Sequence, residues 1–187
     1  MLINETLKVI KERRSIRSYK KEQIKDEELQ AVLEAGLYAP HAGGQAWHFT
    51  VIQKKEILEK INYLAKENLK LHVVEDLRKL GNDESYNGLY GAPTLVIVSG
   101  KKEFVPLEFD CAAATQNMLL AAESIGIGSC WIYFPVFAFD SQGEDDLRRE
   151  LKIPQGYTPY CSLLLGYKDG SVTDVIEREH NLITFIK

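Results

Sequence analysis

The segment 94–99 constrains the fold of this 187-residue chain more than any other part of the sequence. It reads TLVIVS, a run made almost wholly of β-branched and aliphatic residues. Strand-sized runs without a polar face are typical of strands that are buried on both faces of a sheet. We therefore expect Thr94–Ser99 to be a central strand with other layers of the protein packed on each side.

Helical and strand-like segments alternate along the rest of the chain. Asn4 is placed to cap a short first helix, and Asp26 to cap a second helix that Pro40 ends. Asp110 is placed to cap a long alanine-rich helix that runs to about Ser124. Further helices are predicted over 57–65 and 68–80, a loop over 82–91, and further strands over 48–53, 131–134, 161–165 and 182–186. The alternation favours a layered α+β or α/β chain whose helices cover a mixed sheet, in one domain over 1–187.

The composition limits the classes of protein to which the chain can belong. Hydrophobic residues make up 45% of the chain and charged residues 27%, as in a soluble globular protein. The formal net charge is −4, so the molecule as a whole has no electrostatic attraction to nucleic acid. The apolar stretches are too short to span a membrane, and the N-terminal residues are unlike a signal peptide. We expect a cytoplasmic protein.

The cysteines and histidines show neither a disulfide pattern nor a metal-binding pattern. The three cysteines, Cys111, Cys130 and Cys161, lack the CxxC spacing, and the four histidines lack the HExxH pattern of a helix-borne metal site. Cys130 stands beside Trp131, but no partner base is evident, so Cys130 is interpreted as a buried structural thiol. We expect no metal site.

A dense group of hydrogen-bond donors follows the first predicted helix. Arg13, Arg14 and Arg17 supply three guanidinium groups within five residues, and Ser15 adds a hydroxyl. Guanidinium groups bind phosphate oxygens through paired hydrogen bonds. The run is therefore a candidate phosphate site, and a solvated charge run is the alternative that such a pattern leaves open.

Two glycine-containing turns are candidate ligand contacts. PHAGGQAW spans Pro40–Trp47, where adjacent glycines let the backbone approach a ligand and Gln45 offers both a donor and an acceptor. GIGSCWIY spans Gly126–Tyr133 and leads from a helix into a strand, the reverse order of a GxGxxG dinucleotide turn. Both turns are also compatible with plain connections between elements. No nucleophile or carboxylate pair is evident, which favours chemistry carried by a bound cofactor.

Taken together, five motifs in this sequence resemble the nitroreductase family. In chain order they are RRSIRSY, an AP loop followed by WHF, GAPTLVIV, QNMLLAAESIGIGSCWI, and IP with LLLGY. The resemblance implies an α+β, nitroreductase-like fold with a central mixed sheet flanked by helices, built as an intertwined homodimer. It also implies that FMN binds at the dimer interface and that C-terminal segments reach across to the partner subunit.

The same resemblance implies which residues hold FMN. The stretch that binds the phosphate and ribityl chain corresponds to Arg13, Arg14, Ser15 and Arg17. The AP loop, which the partner subunit contributes, corresponds to Pro40, His41 and Ala42, with Gln45 close by. The strand that passes the isoalloxazine ring corresponds to Trp131, Ile132 and Tyr133. The basic residue that completes the phosphate site corresponds to Arg178.

The chain departs from the family's motifs close to the expected ring. His41 stands where the family's loop usually has serine, and PHAGGQAW lacks the usual asparagine. Tyr133 stands where glycine is frequent, which places a bulky ring in the pocket above the flavin. The segment 66–90 carries no family motif, and substrate-covering loops tend to differ in this region.

The activity that the resemblance implies is hydride transfer in two steps. NAD(P)H reduces FMN at N5 and leaves, and a nitroaromatic, quinone or similar electron-poor acceptor is then reduced at the same face. No side chain is expected to act as a catalytic acid, base or nucleophile. One alternative is a flavin-binding or non-catalytic module without nicotinamide turnover. Another is an enzyme with different flavin chemistry, since relatives include dehalogenating and flavin-destructive enzymes.

Overall fold

The computed structural model of the chain describes residues 2–42, 44–101, 107–140, 144–170, 177–179 and 181–187. The elements within these ranges are α1 (Glu5–Glu12), α2 (Asp26–Leu37), β1 (Trp47–Ile52), α3 (Lys55–Lys70), α4 (Glu75–Asn82), β2 (Thr94–Lys101), α5 (Leu107–Ser124), β3 (Gly128–Ile132), a 3-10 helix (Phe134–Phe139), α6 (Glu144–Glu150) and β4 (Tyr157–Gly166). Among these helices, none is both long and apolar enough to cross a membrane.

The four strands form one sheet in the order β1-β2-β4-β3. Each neighbouring pair is antiparallel, and the parallel contact in the described part of the chain is an isolated bridge between Ser15 and Ser129. The α+β class predicted from the sequence is confirmed, but the predicted mixed sheet is an antiparallel sheet in the described residues. Strand β2 lies between β1 and β4, and its residues 94–100 are buried, as the TLVIVS pattern predicts.

Each face of β2 packs against a separate hydrophobic cluster. Leu95 and Ile97 lie in a cluster that includes Ile61 of α3. Val96 and Val98 lie in a cluster on the opposite face that includes Met118 of α5. Successive strand residues point to opposite faces, so this alternation places one helical layer on each side of the sheet.

The N-termini of the first two helices are capped in different ways. Asn4 caps α1 as predicted, because its side-chain oxygen accepts a hydrogen bond from the backbone N–H of Leu7 at 2.9 Å. The prediction that Asp26 caps α2 is wrong by one residue, since the cap position is Lys25. There the backbone N–H of Lys25 donates to Glu28 Oε2 at 2.8 Å, so a carboxylate in the first turn closes this end. Helix α2 ends at Leu37, before the predicted stop at Pro40.

The alanine-rich helix begins earlier than the sequence indicates. Helix α5 starts at Leu107, so Asp110 lies in its first turn and does not cap it. The Asp110 side chain is buried, and its Oδ2 accepts a hydrogen bond from the backbone N–H of Ala42 at 3.1 Å. The carboxylate therefore ties the AP loop to α5 instead of closing the helix.

The single helix predicted over 68–80 is two helices in the structure. Helix α3 continues to Lys70, the chain turns over 71–74, and α4 begins at Glu75. Helix α4 folds back so closely that a Cβ added at Gly81 would lie 2.6 Å from the backbone nitrogen of Lys70. The sequence pattern predicts helix on both sides of residues 71–74 but does not predict the turn between them. The predicted loop over 82–91 is confirmed from residue 83 onward.

Two of the predicted strands differ from the structure. Strand β3 spans Gly128–Ile132 rather than 131–134, because Phe134 and Pro135 begin the 3-10 helix and proline has no N–H for a strand ladder. The strand predicted over 182–186 is wrong for this single chain, where that segment has no strand conformation. Its side chains are exposed, 77% for Phe185 and 97% for Ile186, since no strand edge in the described part of the chain pairs with it.

Candidate cofactor site

The arginine run lies along the outer edge of β3. Ser15 forms the parallel bridge with Ser129, and the backbone N–H of Ile16 donates to the Ser129 carbonyl at 2.9 Å. Ile16 is buried beside this edge and anchors the segment. The structure thereby brings two of the sequence-predicted groups together, the run from Arg13 to Arg17 and the strand that leads to Tyr133.

The three arginines of the run have different surroundings. Arg14 Nη1 donates to the carbonyls of Lys11 and Arg13 at 2.6 and 2.9 Å, so one side of this guanidinium closes the end of α1. Within the described ranges, neither Arg13 nor Arg17 forms an ion pair with a carboxylate. Two guanidinium groups without a carboxylate partner fit the binding of an anion such as a phosphate.

Cys130 lies beneath this run and carries a neutral thiol. Burial raises the pKa of Cys130, although the positive charge of Arg17, a hydrogen bond with Ser15 and the charge of Arg13 act in the opposite direction. The thiol is thus close to the arginines but not ionised near neutral pH. The interpretation of Cys130 as a buried cysteine is confirmed by its exposure of 2%.

The buried thiols lead to a prediction about reactivity. Burial raises the pKa of Cys111 to about 12 and of Cys161 to about 11, and it also raises the pKa of Cys130. Because the thiolate is the reactive form, we expect no cysteine of the folded protein to react with a chromogenic disulfide reagent at about pH 8. All three should react in denaturant. Rapid reaction of even one thiol per chain in the folded protein would contradict this burial.

Exposed side chains lie at the end of β3 and directly after it. Trp131 is 39% exposed and Tyr133 is 54% exposed, while Ile132 is half-buried and its carbonyl accepts a hydrogen bond from the Ser162 hydroxyl. Backbone groups two residues apart in a strand point to the same side. Since the Ser129 carbonyl points away from β4 to Ile16, the amide of Trp131 faces the same open edge. This edge can donate hydrogen bonds to a polar ring.

Two tyrosines from the segment without a family motif also reach this region. The Arg17 guanidinium carbon lies 5.9 Å from the ring centroid of Tyr90. Burial, and next a side-chain hydrogen bond with Tyr90, raise the pKa of Tyr86 to about 12. The Tyr86 ring meets the Phe134 ring edge to face, with centroids 5.5 Å apart. The sequence prediction missed both tyrosines, and the signal available was the position of Tyr90 directly before the GAPTLVIV motif.

The AP loop lies at the opposite edge of the sheet. It leads into β1, which is one edge strand, whereas the arginine run lies along β3, which is the other. His41 Nδ1 accepts the backbone N–H of Gly44 at 3.0 Å, and Gln45 Nε2 donates to the Leu37 carbonyl at 2.8 Å. Pro40, His41, Ala42 and Gln45 are all exposed. One chain therefore does not bring this loop to the arginines, since three strand spacings, roughly 14 Å, separate the edges.

Arg178 is exposed in the short described segment 177–179. Residues 171–176, which connect it to the rest of the chain, lie outside the described ranges. Its proximity to the arginine run stays a prediction.

The fold and the site together define a class of protein. It is an α+β chain in which a run of arginines lies beside an open strand edge, an arrangement suited to a ligand that joins a phosphate to a polar ring. The sequence model of the nitroreductase family matches residues 10–167. The chain belongs to the nitroreductase family.

Individual relatives agree with this assignment. A nitroreductase from Bacteroides fragilis, whose crystal structure contains FMN, is 37% identical with a TM-score of 0.93, over 99% of this chain and 100% of that chain. A nitroreductase from Desulfitobacterium hafniense, also solved with FMN, is 31% identical with a TM-score of 0.89, over the full length of both chains. An Archaeoglobus fulgidus protein, provisionally named NADH dehydrogenase/NAD(P)H nitroreductase, is 34% identical over 169 residues, 88% of this chain and 86% of that protein.

Proposed function

We propose that this protein is an FMN-dependent oxidoreductase that uses NAD(P)H to reduce nitroaromatics, quinones or similar electron-poor acceptors. The observation that carries the proposal is that Arg13 and Arg17, which lie beside the open edge of β3, form no ion pair with any carboxylate that the structure describes. This arrangement occurs in a chain whose similar solved structures bind FMN. When bound, FMN supplies the hydride chemistry at its N5 atom.

The residues of this chain contribute binding and electrostatics. Arg13 and Arg17 neutralise the phosphate dianion, Ser15 adds a hydroxyl donor, and Arg14 contributes the donors that α1 leaves unused. With FMN bound, the amide of Trp131, on the open side of β3, would donate a hydrogen bond to the polar edge of the ring and would stabilise negative charge there. Tyr133, which is exposed just after β3, would limit the room for an acceptor at the ring.

We also propose that two copies of the chain complete each site, within a single domain of 1–187. The AP loop and the arginine run lie at opposite sheet edges, so a partner subunit has to supply one of them to any given FMN. Three cavities in the described part of the chain, of about 530, 560 and 380 Å³, are lined by residues other than Arg13, Ser15 and Arg17, which supports a site that stays open in one chain. The exposed apolar segment 181–187 is suited to reach across to such a partner.

The test is steady-state oxidation of NADH and of NADPH by the FMN-loaded protein, with menadione or a nitroaromatic as acceptor. We expect turnover with at least one nicotinamide, and parallel lines in double-reciprocal plots, because both substrates use one site in turn. The altered PHAGGQAW loop motivates the alternative of a flavin-binding module without turnover. A protein that retains FMN but oxidises neither nicotinamide would favour that alternative and overturn the proposed activity.

A further inference from the structure

Tyr90 has a backbone conformation that aromatic residues rarely adopt. Its φ is 52°, in the left-handed region, and only one other non-glycine residue in the described ranges, Lys152, has a positive φ. A side chain with a Cβ is disfavoured there, because the Cβ approaches the carbonyl oxygen. Gly91 follows with a φ of 71°, so the adjacent left-handed position does have glycine.

The surrounding backbone holds Tyr90 in this conformation. Its N–H donates to the Asn87 carbonyl at 3.0 Å, and the N–H of Ala92 donates to the Leu89 carbonyl at 2.9 Å. Leu89 and Ala92 are buried on either side of it. The loop is therefore fixed at both ends, and glycine would fit position 90 at a lower conformational cost. Strain of this kind is frequent where a side chain has a function.

The Tyr90 ring connects the protein interior to Arg17. On one side lies Tyr86, whose pKa is raised first by burial and next by Tyr90, and whose ring packs edge to face on the buried Phe134 ring at a centroid distance of 5.5 Å. On the other side the Arg17 guanidinium lies 5.9 Å from the Tyr90 ring centroid, within the range of a cation–π contact. Arg17 itself is exposed and has no carboxylate partner among the described residues. An exposed arginine without such a contact samples many rotamers, and ordering it weakens binding.

We infer that Tyr90 is a positioning residue that holds the Arg17 guanidinium in place for FMN. The left-handed backbone directs an aromatic ring to a place from which it contacts Arg17, and the Tyr86–Phe134 packing keeps that ring still. The inference rests on the proposed function, because it assigns a role to Tyr90 in the same FMN site. Tyr90 does not take part in hydride transfer.

The experiment compares FMN affinity of the full-length apoprotein between Tyr90→Leu and Tyr90→Phe. Both variants keep the Cβ and an apolar side chain, so they share the backbone cost and differ in the ring. We expect Tyr90→Leu to weaken FMN binding about threefold to tenfold, the scale of a lost cation–π contact plus a disordered arginine. Tyr90→Phe should stay within about twofold of the wild type, because the ring is retained.

A double-mutant cycle separates positioning of Arg17 from a general structural role. In an Arg17→Ala background, Tyr90→Leu should have almost no further effect on FMN affinity, since the guanidinium that the ring orients is gone. A merely structural role would weaken FMN binding equally with and without Arg17. Thermal unfolding of each variant checks that it is folded, and Tyr90→Met replaces Tyr90→Leu in the cycle if the latter is not.

The possible outcomes are distinct. Unchanged affinity of Tyr90→Leu, or additive effects in the cycle, would overturn the role of Tyr90 while leaving the proposed function intact. Loss of affinity in Tyr90→Phe equal to that in Tyr90→Leu would show that the hydroxyl and not the ring matters, which also overturns it. Failure of the wild type to bind FMN would overturn the proposed function itself, and with it this inference.

Discussion

Replacing Arg17 with alanine is expected to weaken FMN binding by about tenfold to a hundredfold. The substitution removes a guanidinium–phosphate interaction that has the strength of a charge-assisted hydrogen bond, about 1.5–3 kcal/mol. Arg17 has no carboxylate partner within the described ranges, so its removal leaves no acidic side chain unpaired there. The loss should therefore appear in binding and not in stability. Quenching of FMN fluorescence on titration with apoprotein measures it directly.

Lys20 provides a matched control for Arg17→Ala. It is a cation three residues further along the chain, and its side chain is also exposed. Lys20→Ala removes the same unit of charge and changes the long-range field equally, so we expect affinity within about twofold of the wild type at matched ionic strength. If Arg17→Ala bound FMN as tightly as Lys20→Ala, the assignment of Arg17 to the cofactor site would be wrong.

Replacing Gly81 with alanine is expected to destabilise the fold by about 2 kcal/mol, although alanine favours helix. The added Cβ would lie 2.6 Å from the Lys70 nitrogen, 2.9 Å from the Leu69 carbonyl carbon and 2.9 Å from the Lys66 oxygen. These are backbone atoms of α3, so neither helix can yield without moving as a whole. The steric cost exceeds the helix-propensity gain of about 1 kcal/mol.

Thermal unfolding measures the Gly81 effect as a fall in Tm of about 4–8 °C for a chain of this size. Lys79→Ala in the same helix is the control. It removes exposed ion pairs with Glu75 and Asp76 at 3.1 and 3.2 Å, which contribute less than about 1 kcal/mol. A Gly81→Ala variant that unfolds at or above the wild-type temperature would contradict the close contact between α3 and α4.

Local patterns were sufficient to predict the framework of the fold. The apolar run Thr94–Ser99 identified β2 because a strand buried on both faces has no polar positions. The alanine-rich helix and the strand after it were predicted for similar reasons, with ends in error by a few residues. Caps were less predictable, since Asp110 has the residue type of a cap but serves a tertiary contact with Ala42.

Features that depend on tertiary contacts could not be predicted from local sequence patterns. The turn between α3 and α4 depends on the close approach of Gly81 to Lys70, and the spacing of apolar residues in the sequence does not indicate this contact. Tyr90 carries no recognisable motif, and its importance follows from a φ of 52° and a contact with Arg17 that lies 73 positions earlier in the chain. The strand expected over 182–186 has no partner strand among the residues that the structure describes.

The arginine run itself was open to two interpretations in the sequence, a phosphate site or a solvated face. Its position along the outer edge of β3, together with the absence of carboxylate partners for Arg13 and Arg17 within the described ranges, favours the first. The open strand edge beside it can donate hydrogen bonds to the ring end of the same ligand. This is the basis of the proposed FMN site.

The most direct test is the visible spectrum of the purified protein after incubation with FMN and removal of free flavin. We expect bands near 370 and 450 nm, approximate values for a bound flavin, that co-elute with the protein at about one FMN per chain. Arg17→Ala should retain much less flavin than Lys20→Ala under the same conditions. A colourless wild-type protein that retains no FMN would contradict the proposed cofactor site.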